Sequence, residues 1–476
     1  MVSRRLAAKA GVVAGVGAVV SAFGIVTPAE AYTCDVTIDP TEAALRNAID
    51  DGNTTICITD GTLHMGDSGT NADNVPIVID SDLTLVGLGD VTIDGDQQTA
   101  GFIVGASSTD ANIDLVIDNL TVTQFFDWGY DELSDIDSEK TVPVIGFNRN
   151  VGGSITILNS HFENNNSYTS IVGAIDQDNP FDLSSVYAGI TIDNSVFENN
   201  SGQFGTVWGY SDLTITNSTF LTNDSYNGSS TIEGWSSDQT WDDSSAIIAG
   251  NYFEGNTTGE SPVYLDSPDI NVYNNTFAWN YTSSNTYGSA VTVGSGDSAK
   301  IAFNTFHENS SDYDNGSIVF DSGSDAVLLG NVFSTLESND TMSIIDATVQ
   351  DLGGNVSTAN DSTVLDNESS LNSVTEEELL LNEPADNGGA TKTMSLGAGS
   401  VAMDIMGATD AADELDLDLA NDQRGEHRGS TLDAGAWDDG TGYLASTGVD
   451  ARGIAITGGL IGAAGVALVT ARRRKA

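Results

Sequence analysis

The stretch NSHFENN at 159–165 returns as NSVFENN at 194–200 and NSTFLTN at 217–223, with looser copies ending at Asn256, Asn280 and Asn309. Each copy closes an aliphatic run such as SITIL or GITID. Between the copies lies a second, shorter apolar segment: PVIG, SIVG, TVWG, TIEG, PVYL, AVTV, SIVF and SIID. The first aliphatic residues of these segments are Val144, Ile171, Val207, Ile232, Val263, Val291, Ile318 and Ile344, spaced by 27, 36, 25, 31, 28, 27 and 26 residues. A motif repeated at a near-constant period belongs to a scaffold rather than to one active site.

Heptads are absent, and Val, Ile, Thr, Asn and Gly dominate the repeats, so each repeat is a coil of strands and turns. One coil buries only half its apolar surface, and stacking shares the core between neighbours. The expected fold is all-β, a right-handed parallel β-helix, the hand following the usual hand of parallel crossovers. Each motif Phe is expected to enter the core, and each Asn to turn the coil while its amide bonds to backbone and to the Asn above.

A solenoid end must be covered. The segment TEAALRNAIDDG carries Ala43, Ala44, Leu45, Ala48 and Ile49 at helical spacing, which predicts an N-terminal helical cap over the first coil. Cys34 and Cys57, the two cysteines, flank it. In an exported chain they form one disulfide; a reactive thiol or metal pair is the alternative.

Both ends carry targeting patterns. Residues 1–31 have a basic start, a small-residue apolar run and the cleavage-type sequence TPAEA, which predicts a signal peptide cut after Ala31. The Arg4-Arg5 pair leaves the twin-arginine route as the alternative to ordinary secretion. At the other end, LASTG precedes an apolar run long enough to span a bilayer and a tail of Arg472, Arg473, Arg474 and Lys475, which would hold that end on the cytoplasmic side.

That order resembles the sorting signal of Gram-positive surface proteins, in the Leu-Ala-x-Thr-Gly form found among actinobacteria. The resemblance assigns Leu444, Ala445, Ser446, Thr447 and Gly448 to the motif. It implies that a sortase attacks the carbonyl of Thr447 and links the chain to peptidoglycan; a plain membrane anchor is the alternative. The chain is thus expected outside an actinobacterial-type Gram-positive cell, facing outward.

Trimming both ends leaves 7 basic against 67 acidic residues, a net charge near −60 compared with −54 for the whole chain. Such a charge excludes nucleic acid and anionic membranes as partners.

The Phe-x-x-Asn units from Phe162–Asn165 to Phe306–Asn309 resemble the repeats of polymorphic outer-membrane proteins, which are surface adhesins. The stretch from 379 to 406, DQRG at 422–425 and LDAGAW at 432–437 are similar to the choice-of-anchor Q domain that ends many β-helix surface proteins. The expected organisation is a signal peptide (1–31), a disulfide-bearing cap (32–80), β-helix repeats (81–380), a choice-of-anchor Q-like region (381–438), and a linker with the sorting signal, transmembrane helix and basic tail (439–476).

Chemistry is sparse. β-Helix lyases need a strong base beside a neutralised uronate, yet between 32 and 380 the only cations are Arg46, Lys140, Arg149 and Lys300. The signatures of polygalacturonase-type hydrolases are missing. Aligning the short strands places Val172, Trp208, Glu233 and Tyr264 in one outward column, and Ala174, Tyr210, Trp235 and Asp266 in the next. Glu233 and Asp266 would then lie roughly 8 Å apart, the spacing of an inverting carboxylate pair. Trp208, Tyr210, Trp235 and Tyr264 suggest a platform for sugar rings or a protein partner; packing under long loops is the alternative.

His64, His161, His307 and His427 do not cluster, and His161 and His307 read as solvated turn positions. The acidic runs DELDLDLAND at 413–422 and IDGD at 93–96 offer oxygen ligands to calcium without matching a known loop. No other cofactor is expected. The function expected is a recognition scaffold or adhesin for carbohydrate or protein. A polysaccharide-degrading enzyme is the first alternative, and a structural surface component the second.

Overall fold

The computed structural model describes residues 32–65, 76–97, 101–105, 112–125, 143–148, 152–167, 169–175, 187–225, 229–235, 244–313, 316–335, 341–407, 415 and 417–440. The signal segment, Lys140, Arg149 and the sorting signal Leu444–Gly448 with its apolar run fall outside these residues.

Every strand pairing from Val36–Ile38 through Val356–Ser357 is parallel, which makes the chain a parallel β-helix. Three sheets run along it, of 21, 10 and 6 strands. The largest takes two strands from most coils. Tyr187–Asp193 and Val196–Glu198, for example, are separated by Asn194 with φ 48°. A second left-handed residue, Asn199 (φ 53°), turns the chain into Ser201–Gly202 of the smallest sheet. Val207–Gly209 then belongs to the 10-stranded sheet, and the next coil begins. Asn tolerates the left-handed region better than most residues, which is why it recurs at both turns.

Each part of the motif has its own ladder. Phe162, Phe197, Phe220, Phe253, Phe277, Phe306 and Phe333 are fully buried and stack in sequence. Their centroids lie 4.6–5.1 Å apart and their planes within 10°. That spacing is the inter-strand distance of a sheet, so identical rings meet face to face. The last motif residue builds a second ladder from Asn165 through Asn200, Asn223, Asn256, Asn280 and Asn309. From Asn200 onward each amide also donates to the carbonyl of a motif Phe in an earlier coil, as Asn200 does to Phe162 at 2.8 Å, while Asn165 donates to the Val122 carbonyl at 2.9 Å. A third ladder starts with Ser160, Ser195 and Ser218 and continues through Asn251, Asn275, Asn304, Asn331 and Asn355. Buried amides are thereby satisfied along the interior, where an unmatched one would cost about 1–3 kcal/mol.

The short-strand sheet corrects one register expectation. Its inward column is Ile145, Val172, Val207, Ile232, Val263, Val291, Ile318 and Met342. Val144 and Ile171 precede that column at the corner, where they too are buried. Two consecutive aliphatics made the earlier one look like the aligned residue. Gly173, not Val172, stands beside Trp208. At the far end Ile344 pairs with Phe320, two residues beyond the inward column.

At the N-terminus the helix Glu42–Asp50 lies between the first two strands. Thr41 caps it by accepting from the Ala44 N–H at 3.3 Å. Leu45 and Ala48 face the first coil; Ala44 and Ile49 are partly covered, and Ala43 is exposed. A disulfide joins Cys34 to Cys57 across a Cα–Cα distance of 5.7 Å.

Beyond Val356–Ser357 the chain leaves the repeat and folds back along the flank of the coils. Gln423 is its central clasp. Its side chain accepts from the Thr276 hydroxyl at 2.6 Å and donates to the Asn251 carbonyl at 3.1 Å. Arg428 is 1% exposed, bonds Asn274 Oδ1 at 2.8 Å and covers the Phe303 ring at 4.1 Å. Phe303 (φ 52°) holds the turn position that Asn274 holds one coil earlier. Leu415, Leu419 and Leu432 pack around it with Ala302 and Leu329. The repeat therefore breaks its own pattern where a second layer docks.

Candidate aromatic and carboxyl site

Parallel register puts Trp208, Glu233 and Tyr264 in one column and Trp235 beside Asp266 in the next. Val207, Ile232 and Val263 point inward between them, and alternation turns the column outward. Outward does not mean open here. Trp208 is 5% exposed, Glu233 6% and Tyr264 7%, while Tyr210 and Trp235 are half-buried.

The four expected platform residues form two groups. Trp208 stacks on Phe204 at 4.8 Å and meets the edge of Tyr210 at 5.4 Å. Trp235 contacts Tyr264 at 5.1 Å, and Tyr264 meets Tyr287 edge-on at 5.6 Å. The aromatics pack against one another instead of spreading into the flat platform expected from the sequence. Phe204 and Tyr287 lie between strands, where strand alignment could not find them.

Carboxyl chemistry concentrates around the second group. The Trp235 indole N–H donates to Glu233 Oε1 at 2.5 Å. Burial pushes the Glu233 carboxyl up to about 7, against the opposing pull of Trp235, Ser230 and Ser229. Glu260 is pushed up to about 8, by burial first and the charge of Glu233 second, with the Tyr287 hydroxyl pulling the other way. Asp297 rises to about 7 through burial and the neighbouring Asp266. It accepts from the Ser267 N–H at 3.1 Å. An ideal Cβ on Gly294 would fall 2.9 Å from Asp266 Cβ and 3.0 Å from Asp297 Oδ2, so the absent side chain there leaves room for the paired acids.

Register keeps Glu233 and Asp266 on adjacent strands, two residues out of line. The charge of Glu233 helps raise Glu260, and that of Asp266 helps raise Asp297. Tyr264 sits between the two pairs, its phenol pushed upward by burial and by these acids. Among the described residues no Lys or Arg contributes to the field at Glu233, Glu260 or Asp297. Lys300 is occupied with Asp269 at 3.6 Å. The arrangement can hold protons or cations and can face a ligand with ring edges.

The remaining sequence expectations divide. His307 is not a solvated turn residue: Trp279 packs on it at 5.5 Å, Ser334 Oγ lies 3.0 Å from its Nδ1, and burial pushes its pKa down. His161 lies 3.7 Å from Glu198, and His427 Nδ1 2.6 Å from the Arg428 carbonyl. His64 approaches Asp96 at 3.2 Å and Asp94 at 3.8 Å, at the exposed edge of the IDGD turn. In the 413–422 run, Leu415 and Leu419 are core residues. The Asp422 carboxylate is committed to Arg424 at 2.6 Å and to backbone N–H groups. Residues 413, 414 and 416 lie outside the described set.

No family model and no curated protein matches the sequence. Two solved structures of PfbA, a surface adhesin of Streptococcus pneumoniae, are similar to the chain. The first is 13% identical with a TM-score of 0.29, covering 64% of this chain and 89% of PfbA. The second is 12% identical with a TM-score of 0.31, covering 65% and 93%.

Proposed function

We propose that this chain is exported and held at the cell surface as a recognition scaffold of the adhesin type, binding carbohydrate or protein without cleaving it. In this reading residues 1–31 are removed, Cys34 and Cys57 secure the capped end, and a sortase acting at Thr447 joins the chain to peptidoglycan. Phe-x-x-Asn repeats and the choice-of-anchor Q-like region then serve as stalk and clasp.

The observation that carries this reading is the position of Glu233. A general acid must reach the bond it protonates, yet Glu233 is 6% exposed and its carboxyl is covered by the Trp235 indole. Asp266, its intended partner in hydrolysis, is engaged with Asp297 instead. What remains toward solvent is a strongly acidic face studded with half-buried rings, suited to contact more than to turnover.

Two experiments test the proposal. Cell fractionation should find the chain in the wall and, after Thr447→Ala, in the membrane or medium; unchanged wall attachment would refute the sorting step. Arrays of glycans and surface proteins probed with the 32–443 fragment should give a saturable ligand whose binding weakens in Trp235→Ala. Absence of any saturable ligand would favour the purely structural role.

A further inference from the structure

Glu233 and Glu260 are built alike. Each has one carboxyl oxygen served by a ring donor: the Trp235 indole holds Glu233 Oε1, and the Tyr287 hydroxyl supports Glu260. On each, Oε2 is buried and has no hydrogen bond of normal length. Glu233 is 6% exposed, so solvent does not supply the missing partner freely.

Further unmatched polar atoms lie along the same short strands and at the corner before them. The Thr206 and Thr231 hydroxyls and the Trp208 indole N–H are also buried without partners. The register Val207↔Ile232 sets Thr206 beside Thr231, at the corner that Ile171 and Val144 occupy in the coils before. Buried polar groups are ordinarily matched, so such a concentration points to a bound species.

The chemistry of the set narrows that species. The Glu260 N–H donates to the Ser229 carbonyl at 3.2 Å, and Ser229 also reaches Glu233, so the two acids are close neighbours; among the described residues no Lys or Arg stands beside them, which calls for a positive charge. The free atoms of the two acids are oxygens, the ligands that calcium-type cations take. Ring donors that fix the second oxygen of each carboxyl act as outer-shell partners do around a metal. We propose that Glu233 and Glu260 together bind a divalent cation of the calcium type through their two Oε2 atoms, on the outer side of the short-strand sheet. This site is separate from both acidic runs singled out in the sequence. The cation would lock the coil of Glu233 to the coil of Glu260 and keep both acids ionised despite their burial.

Terbium reads the site directly, because Trp235 touches one proposed ligand and can sensitise a bound lanthanide. The full exported chain is stripped with chelator and titrated with terbium chloride under indole excitation. Saturable sensitised emission that calcium displaces is expected. Glu260→Gln and Glu233→Gln should each weaken the apparent affinity about tenfold or more. Glu198→Gln, with the same change of charge but on the long-strand sheet, should leave it unaltered. Circular dichroism checks that each variant is folded. Should Glu233→Gln fail to fold, Glu260→Gln, at a half-buried position, still decides the matter. Absent emission, or emission equally weakened in all three variants, would overturn the proposal in favour of diffuse attraction to an acidic surface. Emission unchanged in Glu260→Gln would assign the pair to buried water or shared protons.

Discussion

Asn256 Oδ1 accepts two hydrogen bonds from Asn223, one from its backbone N–H at 3.0 Å and one from its side-chain amide at 3.0 Å. Asn256 in turn donates to Asn280 Oδ1 at 2.9 Å and to the Phe220 carbonyl at 2.9 Å. Every such residue between Asn165 and Asn309 is both acceptor for the coil before and donor for the coil after.

Removing one member therefore strands partners on both sides. Asn256→Ala should lower unfolding free energy by about 3 kcal/mol. Asn256→Asp should do comparable damage, since a carboxylate cannot donate to Asn280. By contrast Asn199, exposed at its left-handed turn, should accept glycine for less than about 1 kcal/mol. Urea unfolding of the three variants makes the comparison.

The raised carboxyls give stability a definite slope with pH. Glu233 near 7, Asp297 near 7 and Glu260 near 8 hold protons in the folded chain that the unfolded chain has released. The stability these three groups contribute is therefore greatest at low pH and falls as pH rises from about 5 through these values. In chelator, the thermal midpoint should drop between about pH 5 and pH 9, and Glu260→Gln should flatten that drop. A midpoint that rises over this window would contradict the assignment of buried, protonated acids.

Arg428 should matter to the docked layer more than to the coils. It is buried over Phe303 and lies 3.6 Å from Asp438. Arg428→Ala leaves that acid without its counter-charge, a loss of about 3–5 kcal/mol for a buried pair. Limited proteolysis should cut within 371–440 in this variant while the asparagine-laddered coils stay intact. Cleavage spread evenly along the chain would show that the two layers unfold together.

The disulfide closes a loop of 23 residues that contains the capping helix. Cys34→Ser with Cys57→Ser should cost about 2–4 kcal/mol. Hydrogen exchange should locate the loosening in the first coils, around Ile56 and Leu85, rather than near Phe306.

The solenoid was legible because its ladders are made of the same residue at the same place in each coil. A Phe that stacks on a Phe and an Asn that bonds an Asn leave the repeat in the sequence itself. Register on the short strands was less legible: Ile171-Val172 and Val144-Ile145 offer two aliphatics where one faces inward. The site was half legible. Alternation found Trp208, Glu233, Trp235, Tyr264 and Asp266, but Glu260, Asp297, Phe204 and Tyr287 sit in connections of varying length. Their approach depends on how each coil closes, which no period encodes. Burial was hidden for the same reason, since those unseen rings and acids cover the outward column. Phe303 carried a readable signal: an aromatic standing at a turn where Asn serves elsewhere marks the docking point of Arg428.

Recognition without turnover is the central claim, and product analysis on a bound glycan tests it most directly. The 32–443 fragment is incubated with whatever polysaccharide it retains on the array, and new reducing and unsaturated ends are followed over time. Stable binding with no new ends, equal in wild type and Glu233→Gln, is the predicted result. Steady release of ends that Glu233→Gln abolishes would make the chain an enzyme and contradict the account.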